Sequence, residues 1–166
     1  MYRIENSAEL ARCHQLQTSI FHRELNLFGM QIPDRYDCCS VYMQIVDTEA
    51  VVGTYRIVLP NSAVGLPIEE AGFEIDRFDR DRVCEMSRLV IAKKKRGKIP
   101  FGNIISSACQ VGKQHGATLL VVAILPRNLP LFQRYGFTRV GDPLYDATVK
   151  SNNGKESIVV PMTKPV

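Results

Sequence analysis

The sequence predicts an α/β (α+β) fold built on a mixed sheet, on three observations. The first is a pair of β-branched-rich runs, Val41-Tyr42-Met43-Gln44-Ile45-Val46 and Val51-Val52-Gly53-Thr54-Tyr55-Arg56-Ile57-Val58, joined by the short polar Asp47-Thr48-Glu49. That is the pattern of an antiparallel hairpin. The second is a strand-like run from Cys84 to Ile91, then a helical pattern from Gly102 to about His115, then Leu119 to Leu125, apolar on both faces. Such a run reads as a central parallel strand, and the three together as a right-handed β-α-β unit. The third is a short helix, Leu129 to Arg134, leading through Tyr135-Gly136-Phe137 into another strand. At 166 residues the chain is expected to form one domain spanning 1–166.

In chain order, Asn6 followed by Glu9 predicts a helix start, with a side chain placed to cap free amides and a carboxylate in the first turn. Leu10, Cys13, Leu16 and Ile20 recur at helical spacing, and the helix is expected to run to about Leu27 and stop near Gly29 and Pro33. After the hairpin, the stretch from Pro60 to Asp81 carries Pro60, Gly65, Pro67 and Gly72 among many charges. It predicts a long loop or broken helix, of a size that usually carries function. In the second helix Ile104, Ile105, Ala108 and Val111 form an apolar stripe, and Gly116 stops it. A last strand, Ser157 to Met162, follows the polar turn Ser151-Asn152-Asn153-Gly154.

Composition narrows the class. Hydrophobic residues at 45% and charged residues at 23% exclude a disordered chain. No run approaches the roughly 18 apolar residues of a membrane span, and Met1 to Asn6 shows no apolar signal segment. Five cysteines, with Cys38 and Cys39 adjacent, lack zinc-ligand spacing, and His14, His22 and His115 are scattered. A cytoplasmic chain with reduced thiols and no metal follows. The net charge of +4 is concentrated in Lys93-Lys94-Lys95-Arg96-Gly97-Lys98. That run is either a solvated turn or a seat for a phosphate or an acidic partner. It lacks the aromatic interleaving of a nucleic-acid reader.

The order hairpin, crossover unit with a basic turn, then Arg134-Tyr135-Gly136-Phe137 before a strand resembles the GNAT superfamily of N-acetyltransferases over nearly the whole chain. Three blocks sharpen the likeness: Asp34-Arg35-Tyr36-Asp37, Gly53-Thr54-Tyr55-Arg56 and Glu85-Met86-Ser87-Arg88-Leu89-Val90. They are similar to the D-x-x-D, G-x-x-R and E-x-S-R-L blocks of acyl-homoserine-lactone synthases and long-chain N-acyl amino acid synthases, in the same order. The resemblance implies a central sheet of about six to seven strands, with a V-shaped splay between two parallel strands and helices on both faces. It also implies an enzyme moving an acyl group from a phosphopantetheine thioester, on acyl carrier protein or coenzyme A, to the amine of an amino acid or related small molecule. Four features depart from the pattern, one being that Asn128 to Gly136 is about one helical turn shorter than is common. Arg96 to Gly102 does not match the usual pyrophosphate loop, Phe132 stands where many members carry a tyrosine, and the chain has no tryptophan. Three other readings therefore stay open: a lactone-forming synthase, an acetyl-CoA enzyme, and a binding module without catalysis.

Transfer from a thioester to an amine needs a proton acceptor, donors for the oxyanion and alignment of the reactants. The resemblance implies that Glu85 and Arg88 are catalytic, with Glu85 as the base. A carboxylate in a strand lining a cleft is raised in pKa by desolvation; the ordinary alternative is a rim carboxylate paired with Arg88. Residues three apart on a regular strand face opposite ways; the resemblance implies a bulge in this strand, which would return Glu85 and Arg88 to one side, so a bulge is expected between Met86 and Leu89. Asp34, Asp37 and Arg56 are the expected acceptor-binding set. The carboxylates would hold an ammonium, and Arg56 would bind a carboxylate or orient Asp37 by a bidentate pair. Otherwise they are turn formers and a surface salt bridge. Leu89, Val90, Ile91, Arg96, Gly97, Lys98, Phe101, Gly102 and Asn103 are expected at the donor. There the turn before a helix favours an anion and Lys93, Lys94 and Lys95 suit an acidic carrier protein. Ile20, Phe21 and Phe28 are candidates for covering an acyl chain, with plain core packing as the alternative.

Overall fold

The computed structural model describes residues 1–149 and 157–166. In chain order the first half comprises β1 (Tyr2–Arg3), α1 (Ser7–Thr18), β2 (Ser40–Asp47), β3 (Ala50–Val58) and α2 (Pro67–Glu70). The second half comprises β4 (Val83–Ile91), α3 (Phe101–Gln114), β5 (Leu119–Ile124), α4 (Leu129–Arg134), β6 (Thr138–Arg139), β7 (Leu144–Asp146) and β8 (Ser157–Pro165). Among the described residues these form an eight-stranded mixed sheet in the order β1-β2-β3-β4-β5-β8-β6, with β7 also paired to β8. The strands beyond the expected six to seven are short edge pieces, too short to show an alternating pattern.

The first helix begins as expected: Asn6 is extended and its Oδ1 accepts the Glu9 N–H at 2.9 Å. It ends differently. Ser19–Glu24 continues as a π-helical turn, closed by the Leu25 N–H on the Ile20 carbonyl at 2.9 Å. Asn26 at φ 56° then breaks the helix before Leu27. The hairpin turns on Thr48 and Glu49, both at positive φ (44° and 69°), the two-residue turn that matches strand twist. The loop from Pro60 to Asp81 is a broken helix: α2 followed by 3-10 turns at Ile75–Arg77 and Arg80–Arg82. The expected turn at 151–154 lies outside the described residues.

The two sheet faces are covered separately. Ile104, Ile105, Ala108 and Val111 of α3 pack on Tyr55, Ile57, Cys84 and Met86. On the other side Tyr36, Leu66, Ile68 and Ile75 cover Val58, Val83 and Val121, while Ile20 and Phe21 cover Val90. Gly53 is required where β3 meets β4, because a Cβ there would lie 2.6 Å from the Val90 carbonyl oxygen. No helix among the described residues is long and apolar enough to cross a membrane.

Candidate active site

The parallel pair β4 and β5 is joined over three residues and then opens. Val83, Cys84 and Glu85 pair with Leu119, Leu120 and Val121; beyond them β4 runs on to Ile91 and β5 to Ile124 without pairing. On its other edge β4 carries the expected bulge. Thr54 pairs with Val90 but Arg56 pairs with Ser87, so Arg88 and Leu89 share the space opposite Tyr55, with Arg88 at φ 56°. The extra residue brings Arg88 onto the side of Glu85. The gap between the strands is a cleft of about 480 Å³. Leu89, Val90 and Ile91 line one wall, and Val122 to Leu125 with Phe132 line the other. Ile20, Phe21, Leu25, Leu27 and Met30 add apolar surface beside it. The widened π turn thus turns Ile20 and Phe21 to the cleft, while Phe28 stays exposed and packs on His22.

Glu85 lies where the two strands part and is only 2% exposed. Its Oε2 accepts the Ile68 N–H from α2 at 2.8 Å. Burial pushes its carboxyl up to about 8, against the opposing pull of the Ile68 hydrogen bond and the Arg56 charge. It does not pair with Arg88, so the rim ion-pair alternative does not describe it. A buried carboxylate facing a cleft with a proton affinity near neutrality is suited to general base chemistry.

The acceptor-side residues converge in a buried network. Arg56, 1% exposed, donates to Asp34 through two bonds, Nη1 to Oδ1 at 2.5 Å and Nη2 to Oδ2 at 2.9 Å. It also reaches Asp37 Oδ1 at 2.7 Å and, through Nε, Ser87 Oγ at 3.0 Å. The bidentate pair therefore goes to Asp34 rather than Asp37 and is buried, so the surface-bridge alternative does not describe Arg56; Asp34 also forms the turn given as its alternative, its Oδ1 accepting the Tyr36 N–H at 3.0 Å. Arg88 Nη2 donates to Asp34 Oδ2 at 2.6 Å and to the Gln31 carbonyl, while its Nη1 is buried with no partner among the described residues. Burial works to raise the Asp34 carboxyl, but the hydrogen bonds and charges of Arg56 and Arg88 outweigh it and hold the carboxyl below the ordinary range. Burial lowers Arg88, and the Arg56 charge adds to the effect.

Tyr42, His14 and Ser87 complete the network; sequence reasoning missed Tyr42 and His14, and placed Ser87 in the E-x-S-R-L block without giving it a role. Tyr42 Oη donates to Asp37 Oδ1 at 2.7 Å and lies 3.2 Å from His14 Nε2. His14 Nε2 is also 3.2 Å from Asp37 Oδ2, close enough for an ion pair but not aligned for a hydrogen bond. Burial lowers the His14 pKa, against the raising pull of the Asp37 charge. Tyr42 stands in β2 directly across from Arg56, in a register that a bulge between Ile45 and Val46 shifts by one.

The donor-side residues divide. Leu89, Val90, Ile91 and Arg96 line the cleft; Gly97, Lys98, Phe101, Gly102 and Asn103 do not, and lie at the turn and first turn of α3 beyond it. Phe101 packs on Phe132 and Tyr135, with ring centroids 5.2 and 5.3 Å away. Arg96 is held by Glu24, including Nη2 to Oε2 at 2.9 Å, and by the Ile91 carbonyl. Lys95 Nζ lies 2.6 Å from Asp47. Lys93, Lys94 and Lys98 are exposed and have no carboxylate partner among the described residues.

A family model described as the N-acyl amino acid synthase FeeM matches residues 29–153. No curated protein matches the chain in sequence. Among solved structures, it is similar to FeeM, an N-acyl amino acid synthase from uncultured soil microbes, with a TM-score of 0.77 at 13% identity, over 99% of this chain and 88% of that one. An acyl-CoA N-acyltransferase from Pseudomonas aeruginosa gives 0.69 at 16% identity, over 96% and 92%. The CoA-dependent acyl-homoserine lactone synthase BjaI, solved with SAM and isopentyl-CoA, gives 0.67 at 15% identity, over 96% and 77%. At these identities the structural matches establish the shared fold, with its parallel β4–β5 pair.

Proposed function

The chain belongs to the FeeM family of N-acyl amino acid synthases and is a GNAT acyltransferase, and we propose that it acylates the amine of an amino acid from an acyl carrier protein thioester, with Glu85 as the base. The acyl-pantetheine arm lies in the gap between β4 and β5, its thioester carbon beside Glu85. The attacking amine forms the N–C bond while Glu85 takes its proton, directly or through a water. The tetrahedral intermediate then collapses, the C–S bond breaks, and the pantetheine sulfur leaves as a thiolate. A thiol is a good leaving group, so the absence of a tyrosine at Phe132 is tolerated. The Arg88–Leu89 bulge, where two residues of β4 stand opposite the single Tyr55 of β3, is the candidate source of backbone N–H donors for the developing oxyanion.

The observation that carries this reading is the parting of the two strands at Glu85. Arg56 and Arg88 consume Asp34 and Asp37, so these carboxylates act by fixing the acceptor wall rather than by gripping an ammonium alone. Acyl carrier protein is favoured over coenzyme A as donor by the exposed lysines Lys93, Lys94 and Lys98 beyond the cleft, which suit an acidic surface. Both donors are cytoplasmic. Mass spectrometry of lipid extracts from cells expressing the chain tests the activity. An accumulated N-acyl amino acid is expected. Extracts unchanged from control cells, with no thioester consumed by the purified protein for any amine offered, would leave only a binding role.

A further inference from the structure

The segment between β3 and β4 contains a chain of contacts that the transfer step above does not use. Arg80 donates to Glu69 of α2 through two bonds, Nη1 to Oε1 at 3.0 Å and Nη2 to Oε2 at 2.8 Å. Glu69 Oε1 also accepts the Leu66 N–H at 2.7 Å, satisfying an amide at the start of the short helix for which Leu66 has no side-chain acceptor. Gly65, at φ 76°, makes room for that oxygen; a Cβ there would sit 2.8 Å from it. Two residues on, the buried Ile68 directs its N–H to Glu85 Oε2 at 2.8 Å. A partly exposed guanidinium is thus linked through α2 to the buried carboxylate at the parting of β4 and β5.

We propose that Arg80 and Glu69 are positioning residues of the transfer reaction: their ion pair locks the turn that aims the Ile68 N–H at Glu85, and so holds that carboxylate and sets how readily it gives up its proton. This rests on Glu85 being the base. The charges that act on Glu85 are Arg56 from β3, which favours its ionised form, and Asp146 from β7 and Glu69 from α2, which oppose it; Asp34, Glu70, Arg88 and Arg127 line the same cleft, and its neighbour on β5 is the non-titrating Val121. A hydrogen bond to the ionised form favours ionisation, so loosening Ile68 raises the pH at which Glu85 deprotonates. Losing Arg80 also leaves the Glu69 charge without its counterion, and that acts in the same direction.

The test is the pH dependence of kcat/KM, followed as thiol release from an acyl-pantetheine thioester with the amino acid whose amide accumulates in expressing cells. Arg80→Met is expected to move the acidic limb up by roughly 0.5 to 1 pH unit, with donor KM within about twofold of the parent. On the acid side of the limb that is roughly a three- to tenfold loss of rate. Arg80→Lys, which keeps the charge and part of the bonding, is expected to restore most of the shift. Arg82→Met removes a nearby charge that pairs with Asp79 rather than α2, and is expected to leave the limb in place. Arg80→Gln gives the same readout if Arg80→Met folds poorly. An unmoved limb in both Arg80 variants, with the limb abolished in Glu85→Gln, overturns the latch and leaves the base standing. A limb that survives in Glu85→Gln overturns the base itself.

Discussion

Arg56 and Asp34 form a two-bond ion pair in the interior, Nη1 to Oδ1 at 2.5 Å and Nη2 to Oδ2 at 2.9 Å, although 22 residues separate them in the chain. Around that pair, hydrogen bonds to Asp37 and Ser87 bring the guanidinium to four of its five N–H donors, and Arg88 shares the Asp34 carboxylate. The pair ties the segment before β2 to the centre of the sheet, on the side where Glu85 meets the cleft. Because the charges are dry, their value lies in being matched, and removing one leaves the other stranded. Arg56→Met is therefore expected to cost about 3 to 5 kcal/mol, read as a lowered urea midpoint at unchanged slope. A loss within experimental error of zero would show that the carboxylates find other partners.

Glu85 affects stability with a definite sign. Its folded pKa, about 8, lies above the ordinary carboxyl value of 4.5. Between those values the unfolded chain has lost the proton that the folded chain keeps, so this group's contribution falls as pH rises from about 4.5 to about 8. Below 4.5 the contribution is fully present. Glu85→Gln, uncharged throughout, is expected to flatten this decline, so that the variant gains on the parent toward pH 8 and above. Thermal melts of both proteins across that window check it; parallel pH profiles would mean that Glu85 is ionised in the fold.

The exposed lysines at the end of β4 make a separate prediction about the donor. A triple reversal, Lys93→Glu, Lys94→Glu and Lys98→Glu, is expected to raise the KM for acyl carrier protein at least tenfold at low salt and progressively less as salt screens the interaction. The KM for an acyl-pantetheine lacking the protein is expected to stay within about twofold. Equal effects on both donors would assign the lysines to the pantetheine phosphate instead.

Much of this arrangement was legible in the residues, for physical reasons that differ by element. The hairpin and the β-α-β unit have strong periods and clear punctuation, while the bulge at Arg88 was implied by the family resemblance, which also puts Glu85 and Arg88 on one side. The π turn at Ser19–Glu24 has no such mark, since its residues continue the helical pattern and the break at Asn26 is a backbone choice. Tyr42 was missed because counting back from the Thr48–Glu49 turn puts Val41, not Tyr42, opposite Arg56. A bulge between Ile45 and Val46 moves the register by one. The contact between Ile68 and Glu85 joins a broken loop to a strand through a backbone amide, which no side-chain pattern announces. Asp34, Asp37 and Arg56 were found by resemblance, but that they neutralise one another is a fact of the fold.

The most direct test of the account is turnover of the Glu85→Gln protein, saturated with acyl thioester and amine at pH 8. The cleft geometry predicts a fall in kcat of roughly 10²- to 10⁴-fold, the size of a lost general base, with the KM for the donor nearly unchanged. A variant that turns over at the parent rate would contradict the account, because the amine would then be losing its proton somewhere other than the parting of β4 and β5.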